Sequence, residues 1–207
     1  MGYVISFAQQ KGGAGKTTAL LHLAEAWRLS GKSVGLLDLD PQRTLMSWAE
    51  EGGAPGLSVM ESAGWRSGTD VRAAAKTYDI VLVDCPGNAS SLLEAALRES
   101  DLVLVPCQPT GPDVWATTAV LKMAAAARTP ARVLLNRVPA RGGSTAEAVI
   151  KLKQAGATIL TSRLGNRVAY SAGLLDGRTA FGIARASVAT REVEAARVEI
   201  DHVLAAL

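Results

Sequence analysis

The sequence predicts an α/β fold in which a mostly parallel, twisted sheet carries helices on both of its faces. Short apolar runs alternate with longer runs rich in alanine and leucine along the chain. The short runs lack regular polar alternation, as expected of strands that are buried on both faces. With 207 residues, the chain suffices for one full-sized hydrophobic core. We therefore expect residues 1–207 to form a single domain.

The predicted elements alternate between strand and helix. The predicted strands are 3–8, 33–38, 57–60, 78–84, 101–106, 132–136 and 157–160. The predicted helices are 17–30, 44–51, 71–77, 90–98, 114–128 and one that ends at 151–155. Gly31 stops the first helix, and Gly52 and Gly53 stop the second. Strands and helices at this spacing favour crossover units and a parallel sheet.

A last amphipathic helix is predicted from residue 193 onward. Its apolar positions share one helical stripe, namely Val193, Ala196, Ile200, Val203 and Leu207. The opposite face is acidic, whereas a helix that binds anionic lipid needs basic residues. We expect this helix to pack on the core of its own domain.

Composition and charge narrow the function classes. Hydrophobic residues make up 48% and charged residues 20%, which excludes disorder as the main state. Two cysteines, Cys85 and Cys107, are too few for a multi-bridge scaffold, and no signal peptide or membrane span is apparent. We expect a soluble, cytoplasmic protein. Residues 128–191 hold eleven Lys and Arg against two Asp and Glu, a net charge of +9 that would attract polyanions.

The segment QQKGGAGKTT leads from the first predicted strand into the first helix. Its candidate nucleotide-binding residues are Gly12, Gly13, Ala14, Gly15, Lys16, Thr17 and Thr18. Glycines let backbone amides turn toward phosphate oxygens, Lys16 reaches the β and γ phosphates, and Thr17 ligates magnesium. The common phosphate-loop pattern has glycine where this chain has Gln10, so the strict pattern fails by one residue. The alternative is a tight strand-to-helix turn, but the context predicts a nucleoside triphosphate.

Three acidic residues end predicted strands. The motif LLDLDPQ contains Asp38 and Asp40, and IVLVDCPG contains Asp84. Ligands of open parallel sheets bind at the carboxyl ends of the strands, so we expect these acids to converge near Lys16 and to hold magnesium with its waters. Each of them alone could instead cap a helix or form a turn.

These motifs resemble the ParA/MinD group of P-loop ATPases, whose Walker A motif is deviant. KGGAGKTT is similar to the group's signature, LLDLDPQ to its second acidic motif and VLVDCPG to its Walker B motif. VLVPCQP and VLLNR are similar to its later strands, so the specific resemblance spans residues 3–137. The short length, together with Trp48 after the DPQ motif, is similar to small plasmid-type ParA partition ATPases.

The resemblance implies a P-loop fold, ATP and Mg²⁺ as ligands, and an ATP-dependent homodimer. It gives Lys11 the role of the signature lysine, which reaches the nucleotide of the other subunit, and Lys16 the role within its own subunit. It places Asp40 at the attacking water and Asn136 near the adenine. Thr17, Asp38 and Asp84 would organise magnesium. Hydrolysis would stay slow until a partner, ParB-like or a cargo adaptor, stimulates it.

The resemblance also implies that the ATP-bound dimer binds DNA without sequence preference, on the nucleoid. Our candidate contacts are Arg163, Arg167 and Arg185, with Arg137 and Arg191 in reserve; a merely solvated basic surface is the alternative. The cargo would be a plasmid, a chromosome or a protein cluster.

Three other functions are weighed against this one. A MinD-like membrane ATPase that regulates division or an envelope structure needs a basic amphipathic tail, which this chain lacks. An iron–sulfur relative like nitrogenase iron protein needs two thiolates, and the contexts of Cys85 and Cys107 favour packing instead. A metabolic synthetase, such as a dethiobiotin-synthetase-like enzyme, needs a substrate site that the sequence does not reveal.

Overall fold

A computed structural model describes residues 1–53, 55–62, 66–88 and 91–207. Their seven strands form one parallel sheet in the order β3-β2-β4-β1-β5-β6-β7. The strands are β1 Tyr3–Phe7, β2 Val34–Asp38, β3 Leu57–Glu61, β4 Ile80–Asp84, β5 Leu102–Cys107, β6 Ala131–Val138 and β7 Ile159–Gly165. The predicted α/β class is confirmed.

Helices cover both faces of the sheet. They are α1 Lys16–Leu29, α2 Thr44–Glu50, α3 Ser67–Thr77, α4 Ser91–Arg98, α5 Gly111–Ala127, α6 Ser144–Gln154, α7 Ala180–Ile183 and α8 Val188–Ala205. One apolar cluster joins α1, α2, α7 and α8 to one face, and a second joins α3 to α6 to the other. Each strand contributes side chains to both clusters; in β1, for example, Ile5 lies on one face and Val4 on the other. Strands that are buried on both faces have nearly continuous apolar sequences.

Three helices begin at least three residues earlier than the apolar periodicity indicates, and the first of them is α3, which starts at Ser67 instead of residue 71. Helix α5 starts at Gly111, because Thr110 caps it by accepting from the Asp113 amide and Pro112 fits its first turn. Helix α8 starts at Val188, where the Ser187 side chain accepts from Thr190. Polar and small residues fill these first turns, so hydrophobic periodicity cannot reveal them.

Helix α8 packs on the domain's own core, as predicted, with one change in its stripe. Val193, Ala196 and Ile200 are buried against α1 and β7. Leu204 takes the end of the stripe, whereas Leu207 lies beyond α8 and is exposed. The last strand is also longer than predicted and extends to Gly165. Of the predicted helix 90–98, Ser90 lies outside the described residues.

The chain order around β1 determines where a ligand can bind. Strand β1 lies between β4 and β5, and the chain leaves β1 toward β2 on one side, then crosses to β5 on the other. This is a topological switch point, and ligands of such sheets bind at the carboxyl ends of the strands there. The loop between β1 and α1 occupies this position. In the described part of the chain, no helix combines the length and apolarity that a bilayer crossing requires.

Candidate functional site

A cleft of about 540 Å³ opens at the carboxyl ends of the central strands. One wall is the predicted phosphate loop with Lys16, and the other carries Asp40 and the segment 86–88 after β4. Arg137 also lines the cleft. The fold thus brings together motifs that lie far apart in the sequence.

The backbone of the phosphate loop requires glycine. Gly13 and Gly15 have φ angles of 76° and 91°, in the left-handed region. A Cβ on Gly15 would also lie 2.4 Å from Nδ2 of Asn136. That amide donates to the Ala14 carbonyl at 2.9 Å and so supports the loop from below. The N-cap residue of α1 is Gly15, which has no side chain to cap the helix, so the first amides of α1 can bind an anion.

Two glutamines that sequence reasoning missed fix the loop to β5 and α5. The buried Gln9 side chain donates to the carbonyl of Pro106 and to Oγ1 of Thr117, at 3.1 and 2.9 Å. Gln108 donates from Nε2 to the Gly13 carbonyl at 2.8 Å. Nothing in the sequence pattern marks these pairs, because they join residues about a hundred positions apart.

Thr17 and Asp84 meet below the loop. Oγ1 of Thr17 donates to Oδ2 of Asp84 at 2.6 Å. Burial raises the pKa of Asp84 to about 7, against the opposing effects of the Thr17 hydroxyl and the Lys16 charge. The other oxygen, Oδ1, is buried, and no residue that the structure describes forms a hydrogen bond with it. A hydroxyl beside a carboxylate oxygen without a partner suits Mg²⁺, which prefers oxygen ligands.

Asp38 has a structural role that the sequence left open. Its Oδ1 accepts from the Asp40 amide and its Oδ2 from the Met46 amide, both at 3.1 Å. Asp38 therefore caps α2 and shapes the turn that carries Asp40. Burial raises the pKa of the Asp38 carboxyl, opposed by these amides. Asp40 itself is half-buried and accepts from the Gln42 amide at 3.0 Å.

The Lys11 side chain contacts a residue of its own chain. Its Nζ lies 2.5 Å from Oδ2 of Asp113, in the first turn of α5. Asp113 is fully buried, and Thr110 also donates to its Oδ2. Its Oδ1 has no hydrogen-bond partner in the described part of the chain. Sequence reasoning missed Asp113, although the TGPD segment has the capping-box spacing that would have marked the start of α5.

A smaller cleft of about 270 Å³ continues the first one. The two share Gly15, Thr18 and Arg137, and the smaller is further lined by Asn136 and residues after β7. Arg137 has a left-handed φ of 49°, and its amide donates to Oδ1 of Asn136 at 2.8 Å. An extended ligand with phosphates in the larger cleft could continue into the smaller one, beside Asn136.

The candidate DNA-binding arginines lie in different environments. Arg167 donates to both carboxylate oxygens of Glu192, which also accepts from Tyr170 and the Gly165 amide. Arg163 and Arg185 are exposed, and no carboxylate of the described residues lies within ion-pair distance of either. Alternation along β7 places Arg163 on the sheet face opposite to Leu164, which packs in the α1 and α8 cluster.

A buried histidine connects the start of α1 to α7. Nδ1 of His22 lies 2.8 Å from the Thr18 carbonyl, and Nε2 accepts from the Ala180 amide at 3.0 Å. This pattern fixes the neutral tautomer. Burial lowers the His22 pKa to about 4, and the ring stands edge-on to Tyr170.

Both cysteines pack in the core, as the sequence indicated. Cys85 and Cys107 are buried and belong to the cluster that joins β1, β4 and β5 to α3–α6. Burial raises the pKa of Cys85 to about 12 and that of Cys107 to about 11, so both remain thiols at neutral pH.

Comparison with known proteins places the chain in a family. The family model described as VirC1 protein matches residues 2–207. Maintenance of carboxysome distribution protein A of Halothiobacillus neapolitanus is 28% identical over 92% of this chain and 93% of its own length. The protein of the same name from Gloeobacter kilaueensis is 31% identical over 84% and 82%.

Solved structures show the same fold. The septum site-determining protein MinD of Pyrococcus horikoshii, solved with Mg-ADP, superposes with a TM-score of 0.80 over 98% of this chain and 97% of its own, at 18% identity. The sequence match and the fold agree with the motifs gathered around the cleft. The chain belongs to the VirC1 family, within the wider ParA/MinD group of P-loop ATPases.

Proposed function

We propose that this protein hydrolyses ATP, that ATP joins two copies of it, and that the joined pair binds DNA and positions or segregates a cargo. Membership in a group of positioning and partition ATPases supports the general kind of function. The observation that carries the proposal is the Thr17–Asp84 pair below the phosphate loop, where a buried oxygen of Asp84 has no hydrogen-bond partner among the described residues.

The phosphate loop and Lys16 bind the triphosphate. The uncapped N-terminus of α1 and the left-handed glycines turn amides toward the cleft, and Lys16 adds a positive charge. Gly87 lies beside Lys16, since a Cβ on it would be in ordinary contact with Nζ, at 3.8 Å. The adenosine part extends into the smaller cleft beside Asn136.

Thr17 and Asp84 would hold Mg²⁺, and the amide-bound Asp38 would support the neighbouring turn. The ion supplies positive charge that offsets the charge of the phosphates. With the ion bound, Asp84 would be ionised at neutral pH, because the positive charge would offset the burial that raises its pKa to about 7. Asp40, at the opposite wall, orients the attacking water.

Lys11 contributes to the nucleotide site of the second copy. In the single chain it is bound to Asp113, so joining two copies requires that Lys11 exchange one anion for another. A triphosphate carries more negative charge than one carboxylate, which favours the exchange. Dimerisation consequently depends on the γ-phosphate.

The basic C-terminal half provides the DNA contacts. Arg163 and Arg185 are exposed and have no acidic partner among the described residues, so they can neutralise DNA phosphates. Arg167 would first have to leave Glu192. Phosphate contacts give affinity without base recognition, which suits a protein that uses the nucleoid as a surface.

The cargo is a plasmid, a chromosome or a protein cluster. The relatives named for carboxysome distribution support a positioning role of this type. A ParB-like protein or a cargo adaptor would stimulate hydrolysis and so release the pair from DNA. The protein then cycles between the cytoplasm and the nucleoid.

Retention on duplex DNA tests this proposal. With ATP and Mg²⁺ the wild type should be retained on DNA of unrelated sequences, and with ADP it should not. Lys16→Ala should lose both ATP binding and retention. Retention that is equal with ATP and ADP, or ATP-dependent binding to anionic vesicles without DNA binding, would contradict the proposal; the second result would favour a membrane ATPase.

A further inference from the structure

A glutamate on helix α8 binds the segment that follows the last strand. This 165–171 segment contains the end of β7 and the short turn after it. Oε2 of Glu192 accepts from the Gly165 amide at 3.0 Å and from the Tyr170 hydroxyl at 2.8 Å. Arg167 donates to both carboxylate oxygens, from Nε to Oε2 at 2.9 Å and from Nη2 to Oε1 at 2.5 Å. Four hydrogen bonds from one segment thus converge on one half-buried carboxylate.

Glu192 is ionised in this arrangement. Burial opposes ionisation, but Arg167, the Gly165 amide and the Tyr170 hydroxyl together hold the pKa of the carboxyl below its usual range. A carboxylate only accepts hydrogen bonds, and bonds to a charged group are about twice as strong as bonds between neutral groups. The Arg167 guanidinium also lies against Gly165, since a Cβ there would be 3.1 Å from Nε. The carboxylate therefore binds both side chains and backbone of the 165–171 segment to α8.

The 165–171 segment lines the smaller cleft, in which the proposed function places the adenosine. Its lining residues are Gly165, Asn166, Arg167, Val168, Tyr170 and Ser171. Val168 is an exposed apolar side chain, so the base of a nucleotide can pack on it. The position of the segment therefore determines the shape of the adenosine side of the site, whereas the phosphates lie on the loop between β1 and α1.

A second glutamate on α8 forms the same kind of contact away from the cleft. Glu199 accepts from the amides of Thr161 and Ser162, both at 2.7 Å. Strand β7 is an edge strand, so amides on its outer edge need partners other than a neighbouring strand. The two glutamates are seven residues apart, about 10.5 Å along the helix. Of the two, Glu192 alone is bonded to residues that line the smaller cleft.

We propose that Glu192 is a positioning residue for the adenosine part of the nucleotide, because it holds the 165–171 segment in the conformation that forms the smaller cleft. The inference rests on the proposed function, which places ATP across the two clefts. Without the carboxylate, the segment would also adopt conformations in which this cleft is not formed. The apparent affinity for ATP would fall with the fraction of chains that keep the cleft. Binding of the phosphates, which depends on the phosphate loop and Lys16, would not change.

Calorimetric titration with two ligands tests the proposal. One ligand is a non-hydrolysable ATP analogue, and the other is inorganic tripolyphosphate, which has the phosphates but no adenosine; both are titrated with Mg²⁺ present. Wild type, Glu192→Gln, Glu199→Gln and Tyr170→Phe are compared. Glu199→Gln is the matched control, since it also neutralises an α8 glutamate that accepts from β7 amides. The melting temperature of each variant measures its effect on stability.

Glu192→Gln should bind the ATP analogue about tenfold more weakly than the wild type and tripolyphosphate equally well. Tyr170→Phe removes one of the four hydrogen bonds and keeps the ring, so it should lose about threefold in affinity for the analogue. Glu199→Gln should match the wild type with both ligands, even if its melting temperature is lower. A role of α8 in stability alone would not produce this difference between the two ligands.

Wild-type affinity for the analogue in Glu192→Gln would overturn the inference and leave the proposed function standing. Equal losses for the analogue and tripolyphosphate would also overturn it, as would equal losses for the analogue in Glu192→Gln and Glu199→Gln. If the wild type does not bind the analogue, the proposed function falls as well. If Glu192→Gln does not fold, Tyr170→Phe decides, and wild-type affinity for the analogue in that variant overturns the inference.

Hydrogen exchange of backbone amides tests the contact without a ligand. In Glu192→Gln the Gly165 amide should exchange faster than in the wild type, while the Thr161 and Ser162 amides keep their rates. Glu199→Gln should show the reverse. Unchanged exchange of the Gly165 amide in Glu192→Gln would mean that the carboxylate does not hold the segment, which contradicts the inference.

Discussion

Lys11 and Asp113 form an ion pair within the single chain, with Nζ of the lysine 2.5 Å from Oδ2 of the aspartate. The pair is asymmetric, since the Lys11 side chain is partly in solvent while Asp113 is fully buried. Within the described ranges, one oxygen of Asp113 also has no hydrogen-bond partner. The lysine therefore stabilises a buried charge in the single chain, besides the role proposed for it between two copies.

Removing Lys11 should destabilise the chain as well as block dimerisation. Lys11→Ala leaves the Asp113 carboxylate buried without its cation, which we expect to cost about 1–3 kcal/mol in the free energy of unfolding. Urea denaturation measures this loss. The double variant Lys11→Ala with Asp113→Asn should recover most of the stability, because the buried charge is gone.

The same double variant separates the two roles of Lys11. It should remain unable to dimerise with ATP even though its stability is restored. A stable double variant that dimerises normally would contradict the proposed role of Lys11 between two copies. An unchanged free energy of unfolding for Lys11→Ala would contradict its stabilising role within the single chain.

Gly15→Ala should abolish nucleotide binding. The left-handed φ of 91° disfavours any Cβ, and this one would also lie 2.4 Å from Nδ2 of Asn136, which supports the loop through Ala14. Gly12→Ala is the matched control, because a Cβ there meets open space. Titration with a fluorescent ATP analogue should show a loss of at least roughly a hundredfold for Gly15→Ala and a much smaller loss for the control. Equal affinities would contradict the account of the loop.

Asp84→Asn should stabilise the nucleotide-free chain yet remove its response to magnesium. Burial raises the Asp84 pKa to about 7, so the ionised carboxylate is costly at pH 8. We expect the amide to raise the free energy of unfolding by at least about 1 kcal/mol. With ATP present, adding Mg²⁺ should raise the melting temperature of the wild type and leave the variant unchanged. A magnesium response in the variant equal to the wild type would exclude Asp84 as a ligand.

Charge reversal of Arg163 and Arg185 should weaken DNA binding without affecting the nucleotide. Both residues are exposed and unpaired with carboxylates of the described chain. The double variant to Glu should lose binding to every duplex sequence to a similar degree, with a shallower salt dependence. The control is Arg72→Glu with Arg98→Glu on α3 and α4, which makes the same change in net charge. Equal losses in both double variants would mean that net charge, not this surface, binds DNA.

His22 should make the chain acid-sensitive between pH 6.5 and about 4. The unfolded chain takes up a proton in this interval, whereas burial keeps His22 neutral in the folded chain, against the opposing effects of the Thr18 carbonyl and Glu25. The contribution of neutral His22 to the free energy of unfolding is fully present above pH 6.5. It decreases by about 3 kcal/mol as the pH drops to about 4.

Urea denaturation at several pH values measures this dependence. His22→Gln should flatten it between pH 6.5 and 4, whatever its effect at pH 7. His202→Gln, which changes an exposed histidine on α8, should keep the wild-type slope. A His22→Gln slope that matches the wild type would show that another group governs the acid sensitivity.

The sequence predicted the sheet, the flanking helices and the cleft, because these depend on local signals. Continuous apolar runs marked strands such as β4, and the KGGAGKTT segment marked the loop between β1 and α1. The contacts that hold the site together could not be predicted from the sequence. Gln9 with Thr117, Lys11 with Asp113 and His22 with Ala180 join residues more than a hundred positions apart, and only the fold brings them together.

Asp38 shows a further limit of motif reasoning. The motif LLDLDPQ supports a magnesium role, and the carboxylate does lie near the cleft, yet both of its oxygens accept backbone amides that shape the turn and cap α2. Arg167 shows the same limit. Its charge predicted a contact with DNA, whereas its side chain is bound to Glu192. The type of a residue shows which interactions its side chain can form. The neighbouring residues in the fold determine which of these interactions it does form.

Light scattering measures whether a triphosphate joins two copies of this chain, on which the proposed function depends. The mass of the wild-type protein is measured with Mg²⁺ and either a non-hydrolysable ATP analogue or ADP. We expect the mass to double with the analogue and to remain that of a monomer with ADP. A chain that binds the analogue and Mg²⁺ and still remains monomeric would contradict it.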